Sequence, residues 1–181
     1  MSYGAFVHCR CFQDDKIPKP YFADFIKYDE CGLYIYLPKE LENNQEKSQD
    51  IFIDFYDWVE IACTHRNMYL SNQDVANIPT MNKFKNFIKT YKDDYPILYQ
   101  YLPTVNEGII PPKLAEPLLK ELCKLKNVPE RQGDFDCILQ SLSQLAKASI
   151  ETGNPIHWSL INAIKPHPII NPYQYPFNPF I

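Results

Sequence analysis

Alternating apolar and polar positions near the start of the chain predict a β-strand. In residues 3–12 the odd-numbered side chains share one face and the even-numbered side chains share the other. Side chains alternate between the two faces of a strand, so one face of this segment is expected to be buried. Three further strands are predicted, at residues 32–37, 67–70 and 156–164. The polar stretch 39–49 is expected to be an excursion on the surface.

A repeat of apolar positions close to 3.6 residues predicts four helices later in the chain. They cover residues 50–63, 80–92, a stretch from Pro111-Pro112 to about 126, and 134–152. The first carries an apolar stripe that includes Ile51 and Phe55, with Ser48 or Asp50 as its N-cap. For the last, Asp134 is the expected N-cap and Gly153 the expected stop.

Together these elements predict the α+β fold class. We expect a single domain over residues 1–164, in which about four helices pack on a small, mostly antiparallel sheet. The chain has 181 residues, 45% of them hydrophobic, which is enough to bury a core. In residues 165–181 prolines alternate with aromatic residues, and this C-terminal arm is expected to pack on the domain.

Composition and charge exclude several classes of function. The chain has only 5 glycines, and neither the Rossmann nor the P-loop signature is present. A net charge of −4 argues against a nucleic acid partner. No apolar run approaches the roughly 20 residues that a membrane span needs. The start of the chain has no signal-peptide pattern, so we expect a cytoplasmic protein with reduced cysteines.

Two closely spaced pairs, one of two cysteines and one of a cysteine and a histidine, are the best candidate for a chemically active or metal-binding site. Cys9 and Cys11 point the same way on the predicted strand, and Cys63 and His65 follow the predicted helix. Three thiolates and one imidazole would make a tetrahedral zinc site, with Cys31 as a spare ligand. Zinc knuckles usually have two to four residues between ligands, so small buried cysteines without a metal are the alternative.

No catalytic residue is predicted. A nucleophilic pair could be formed by Cys63 or Cys11 with His65 or His8. Cys63, however, is expected at the C-terminus of a helix, where the helix dipole raises the pKa of a thiol. The paired carboxylates Asp54 and Asp57 are expected to be solvated, which leaves their chemistry ordinary. The sequence therefore favours a protein that is not an enzyme.

A negative stripe on the predicted helix at 50–63 is the candidate binding surface. The stripe, called here the acidic band, consists of Asp50, Asp54, Asp57 and Glu60, and Tyr56 lies beside it. Such a band attracts a basic partner. The alternatives are pairing with the lysines at 85, 89 and 92 or simple solvation of both stripes.

The segments around the cysteines also form a pattern. Cys9, Cys11 and Phe12 give C-x-C-F, and Cys63, His65 and Met68 give C-x-H-x-x-M, within residues 5–90. This pattern resembles small bacterial proteins without an assigned activity, some of which look like immunity proteins of toxin systems. The resemblance implies no catalytic residues.

These observations lead to two hypotheses from different classes. The first is a non-enzymatic protein-binding module, most concretely an immunity protein whose acidic band and Tyr56 cover the basic cleft of a cognate cytoplasmic toxin. The alternative is a metalloprotein in which Cys9, Cys11, Cys63 and His65 bind zinc, as a structural or a hydrolytic site.

Overall fold

A computed structural model of the chain describes residues 1–29, 32–103, 107–128 and 133–161. Their α+β class is the predicted one, with an antiparallel sheet and helices. The contacts divide these residues into two compact units. The first unit contains Met1–His8 and residues 69–161, and the second contains Cys9–Met68.

Six strands and six α-helices make up the regular structure of the described residues. The strands are β1 (Ser2–His8), β2 (Ile26–Asp29), β3 (Gly32–Ile35), β4 (Tyr69–Asn77), β5 (Glu107–Ile110) and β6 (Ile156–Ile161). The helices are α1 (Lys39–Glu42), α2 (Gln45–Ile61), α3 (Ile78–Thr90), α4 (Pro96–Tyr101), α5 (Ala115–Lys126) and α6 (Asp136–Thr152).

The first unit is built on a four-stranded antiparallel sheet. Its strand order is β4-β1-β6-β5, so β1 is central and pairs with β4 and β6. Tyr3, Ala5 and Val7 are buried on one face of β1, as the alternating pattern predicts. Helices α3, α5 and α6 add side chains such as Phe84 and Leu142 to the same buried apolar cluster.

Helix ends in the first unit follow local capping chemistry. Asn77 accepts a hydrogen bond from the Thr80 backbone N–H at 2.9 Å, so α3 begins two residues earlier than predicted. A 3₁₀ turn at Gly133–Phe135 precedes α6 and places Phe135 at the N-cap, so the prediction of Asp134 as the cap was wrong. Gly153 ends α6 at φ 68°, as predicted.

The second unit contains the β2–β3 hairpin and helices α1 and α2. Phe22, Leu33 and Phe55 are buried in it. Helix α2 begins five residues before the predicted start because Asn44, and neither Ser48 nor Asp50, accepts the capping hydrogen bond from Lys47. The polar stretch 39–49 is occupied by α1 and the first turn of α2, and most of its residues are exposed.

The strand predicted at 3–12 ends earlier, at His8. A turn follows, in which the Asp14 N–H donates to the Arg10 carbonyl at 2.8 Å and the Lys16 N–H donates to the Cys11 carbonyl at 2.9 Å. The strand predicted at 67–70 is also displaced, and β4 begins only at Tyr69. Cys9 and Cys11 therefore lie in a turn instead of on one face of a strand.

Some predictions fall outside the described residues. These are the arm at 165–181, the spare ligand Cys31 and the last residues of the strand predicted at 156–164. Within the described ranges, no helix is both long enough and apolar enough to cross a membrane.

Candidate metal centre

The second unit brings the four predicted metal ligands together. One donor atom from each of Cys9, Cys11, Cys63 and His65 lies within 4.8 Å of all the others. Two of these residues are 54 positions away from the other two in the chain. The turn after β1 and the turn after α2 therefore meet at one cluster of sulfur and nitrogen donors.

Three of the six donor–donor distances inside this cluster match those of a tetrahedral zinc centre. The Cys9 and Cys63 sulfurs are 3.8 Å apart. His65 Nδ1 lies 3.4 Å from the Cys11 sulfur and 3.6 Å from the Cys63 sulfur. Zinc bonds of about 2.3 Å to sulfur and about 2.0 Å to nitrogen, at tetrahedral angles, separate two sulfurs by about 3.8 Å and a sulfur from a nitrogen by about 3.5 Å. The donors are thus spaced to hold one ion between them.

The turn after β1 positions the first pair of ligands. The Cys9 backbone N–H donates to the Met68 carbonyl at 2.7 Å, which ties this turn to the one after α2. The Tyr28 hydroxyl donates to the Cys9 carbonyl at 3.4 Å. Cys9 is 2% exposed, and Cys11 is half-buried. One sulfur of this pair is therefore enclosed while the other is nearer to solvent.

The turn after α2 positions the second pair. Helix α2 ends at Ile61, and the chain then reverses so that the Met68 N–H donates to the His65 carbonyl at 2.9 Å. Asn67 and Met68 have φ of 53° and 55°, in the left-handed region that non-glycine residues rarely adopt. Each such residue costs roughly 1–2 kcal/mol. A metal ion held by the same turn would offset this cost.

Burial works against the thiolate form of two thiols in the cluster. Burial raises the pKa of Cys9 to about 12, although the backbone N–H of Cys11 acts in the opposite direction. Burial likewise raises the pKa of Cys63, and the backbone N–H of His65 opposes it. Without a metal these thiols keep their protons at neutral pH, and metal binding releases them. The same N–H groups would then support the metal-bound thiolates.

The number of protein donors determines which kind of zinc site the cluster can form. A hydrolytic zinc site keeps one position open for water, whereas a structural site fills all four positions with protein ligands. The nearby Asp14 does not act as an unengaged base, because Lys16 and Arg10 both bond it and hold its pKa below the usual value. The arrangement therefore fits a structural site better than a hydrolytic one.

The acidic band lies on α2 in the same unit. Asp50, Asp54, Asp57 and Glu60 are all exposed, and Tyr56 is half-buried. In the described part of this unit no lysine or arginine forms an ion pair with the band. The structure thus keeps the predicted residues together on the surface of one helix.

Three exposed side chains near the acidic band were missed by the sequence analysis. The Tyr21 hydroxyl donates to Asp54 Oδ2 at 2.6 Å, while the Tyr21 side chain remains 73% exposed. Ile53 and Ile61, also on α2, are 48% and 79% exposed. The position of the two isoleucines outside the apolar stripe of α2 was a signal in the sequence that they are exposed. Nothing local in the sequence indicates the contact of Tyr21 with Asp54.

An aromatic cluster in the first unit was missed as well. The Phe6 ring stacks on those of Tyr69 and His157 at centroid distances of 4.4 and 5.0 Å, and His8 lies against the same group. Burial, together with the charge of His157, lowers the pKa of His8 to about 3. These residues share the second face of β1 and its neighbours, so His8 is a neutral core residue.

Comparisons with family models, with curated proteins and with solved structures find no match to this chain. The resemblance to immunity proteins therefore stays a prediction.

Proposed function

We propose that the protein binds zinc and that Cys9, Cys11, Cys63 and His65 hold one structural Zn²⁺ ion. The observation that supports this most directly is the spacing of the donors, at 3.8, 3.4 and 3.6 Å. Cysteines that serve only as small apolar residues need no histidine beside them, whereas His65 Nδ1 lies within 3.6 Å of two of these sulfurs. Thiolate and imidazole are also the ligands that zinc prefers in proteins.

The ion would act as a cross-link in the second unit. It would join the turn after β1 to the turn after α2, across 54 positions of sequence. A unit of this size buries little apolar surface, and metals commonly supply the missing stability in such units. The binding energy of a structural zinc ion is folding energy, because the site does not exist in the unfolded chain.

Metal analysis of the purified protein tests this proposal. Protein purified without chelators and without an affinity tag is expected to carry one equivalent of zinc. Cys63→Ser and His65→Ala are each expected to lose most of it, whereas Cys123→Ser, which changes an exposed cysteine on α5, retains it. Less than a tenth of an equivalent in the wild-type protein, with no uptake on titration, would contradict the proposal.

The second candidate function is protein binding through the acidic band. Supporting observations are the exposure of Asp50, Asp57 and Glu60 and of the two apolar side chains Ile53 and Ile61 on the same helix. Exposed apolar groups within a charged field are typical of interaction surfaces. The most concrete version is an immunity protein that covers the basic cleft of a toxin, and the acidic charge would speed and orient the encounter.

A charge-reversal experiment tests this second candidate. The partner is sought by pull-down from the native host, with the product of the neighbouring gene as the first protein to examine. Asp54→Lys with Asp57→Lys is expected to weaken binding at least tenfold and to reduce its dependence on salt. Glu116→Lys with Glu151→Lys is the matched control, since it makes the same charge change at exposed positions of α5 and α6. Equal binding by both double variants would contradict the role of the band.

A further inference from the structure

The three cysteines of the metal centre differ in their access to solvent. Cys9 is buried, whereas Cys11 and Cys63 are half-buried. The Cys63 sulfur is 3.8 Å from that of Cys9. A disulfide needs about 2.05 Å, so these two sulfurs must approach by roughly 1.8 Å to bond. An oxidant that reaches Cys63 would therefore find a second thiol beside it.

We propose that the zinc centre is an oxidant-sensitive switch, in which a peroxide converts Cys63 and Cys9 into a disulfide and the zinc ion is released. This inference rests on the zinc-binding function proposed above. It adds a means of regulation and a chemical signal, a small peroxide, to what is otherwise a structural site.

The chemistry balances with hydrogen peroxide as the oxidant. The Cys63 thiolate attacks one peroxide oxygen, the O–O bond breaks, and Cys63 sulfenic acid and hydroxide are formed. The Cys9 thiolate then attacks the Cys63 sulfur, an S–S bond forms, and a second hydroxide leaves. Both hydroxides take up protons from solvent and become water. The two sulfurs together lose two electrons, and the peroxide gains them.

Loss of these two thiolates removes half of the ligands. Cys11 and His65 would remain, with the Cys11 sulfur 3.4 Å from His65 Nδ1. Two donors do not retain zinc at the affinity of a four-ligand site, so the ion is released. The new disulfide would link the same two turns that the zinc had linked. Oxidation is therefore expected to exchange one cross-link for another instead of unfolding the second unit.

Peroxide treatment of the zinc-loaded protein tests the switch. Cys123 and Cys137 are both exposed, so the experiment uses the Cys123→Ser/Cys137→Ser protein to avoid disulfides between molecules. A colorimetric zinc chelator follows release, and mass spectrometry of peptides identifies the disulfide. One zinc ion released for each Cys9–Cys63 disulfide formed, with uptake restored by a reductant, is the expected result.

A peroxide-free control separates spontaneous loss of zinc from the switch. The same protein incubated without peroxide is expected to keep its zinc and to form no disulfide. Zinc release at the same rate with and without peroxide, or a disulfide that pairs different cysteines, would overturn the inference.

The outcomes also distinguish this inference from the proposed function. A parent protein that binds no zinc would overturn both. A parent protein that binds zinc, and that keeps it under peroxide or loses it with sulfinic acid and no disulfide, would overturn only the switch.

Discussion

The two units of this chain differ in the apolar side chains that their described residues bury. In the first unit a four-stranded sheet and helices α3, α5 and α6 enclose one continuous apolar cluster. In the described part of the second unit, a two-stranded hairpin and the helices α1 and α2 bury fewer apolar side chains. Only the second unit has a cluster of metal-ligand donors among the described residues.

This difference indicates that a bound metal ion would add more to the stability of the second unit than to that of the first. Burial of apolar surface is the main source of stability in a large core, and it grows with the size of the unit. Natural domains of fewer than about 70–80 residues often gain stability from a disulfide, a metal or a partner, and the segment Cys9–Met68 lies in this range. The Cys9, Cys11, Cys63 and His65 cluster is what we expect such a unit to require.

Removal of zinc is expected to produce the largest difference between the two units, measured as amide protection. Structural zinc contributes about 10 kcal/mol or more in small metal-dependent domains. Chelation, or Cys63→Ser, is expected to abolish amide protection in α2 and the β2–β3 hairpin while α6 keeps its protection. Hydrogen exchange followed by mass spectrometry measures both units in one experiment. Equal protection of α2 with and without the metal would contradict a structural role.

A cavity in the first unit is expected to destabilise that unit without changing the zinc content of the protein. Leu142 on α6 is fully buried, so Leu142→Ala is expected to destabilise the unit by about 2–5 kcal/mol. Its zinc content should remain that of the wild-type protein. Glu151→Ala, an exposed change on the same helix, is the control. Denaturant unfolding gives the change in free energy, and loss of zinc from the Leu142→Ala protein would show that the units are not separable in this way.

The stability of the first unit is expected to depend on pH through the protonation of His8. The folded pKa of His8, about 3, lies below the ordinary histidine value of 6.5, so the unfolded state binds more protons as the pH falls below 6.5. Stability is therefore complete above about pH 6.5 and is lost towards pH 3, by about 2 kcal/mol at pH 5. His8→Gln should flatten this dependence in amide exchange of β1 and β6. An unchanged profile would mean that His157, which faces His8, or other groups dominate.

The N-cap of α2 should give a smaller effect, confined to the second unit. Asn44→Ala removes the side-chain oxygen that accepts from Lys47 and is expected to cost about 1 kcal/mol. Asn43→Ala, at the exposed neighbouring position, is the matched control. Unfolding of the second unit is followed by amide exchange in α2, with and without zinc. If amide exchange in α2 is the same in the two variants, the hydrogen bond of the Asn44 side chain does not determine where α2 begins.

The sequence singles out the four residues that the structure brings together but places them on the wrong local structure. Spacing alone singled out Cys9 with Cys11 and Cys63 with His65, because both pairs are close in the chain. It placed the first pair on a strand, whereas β1 ends at His8 and the pair lies in a turn. Backbone bonds such as that from Cys9 to the Met68 carbonyl join distant residues, and no local pattern encodes them.

Helix boundaries show the same limit. The apolar repeat that includes Ile51 and Phe55 was enough to predict α2, but its first turn is polar and carries no repeat. Asn44, Ser48 and Asp50 are all residues that cap helices well, and the sequence offers no means of choosing among them. The α+β class and the antiparallel sheet depend on longer patterns, which is why they could be predicted.

The most direct test of the zinc centre is a titration of the metal-free protein with Co²⁺, which takes the place of zinc and absorbs visible light. Coordination by Cys9, Cys11, Cys63 and His65 predicts an intense tetrahedral d–d spectrum and sulfur-to-cobalt charge transfer that saturate at one equivalent. Zinc should then displace the cobalt and abolish both signals. A weak octahedral spectrum without charge transfer, unchanged by His65→Ala or Cys63→Ser, would contradict the centre.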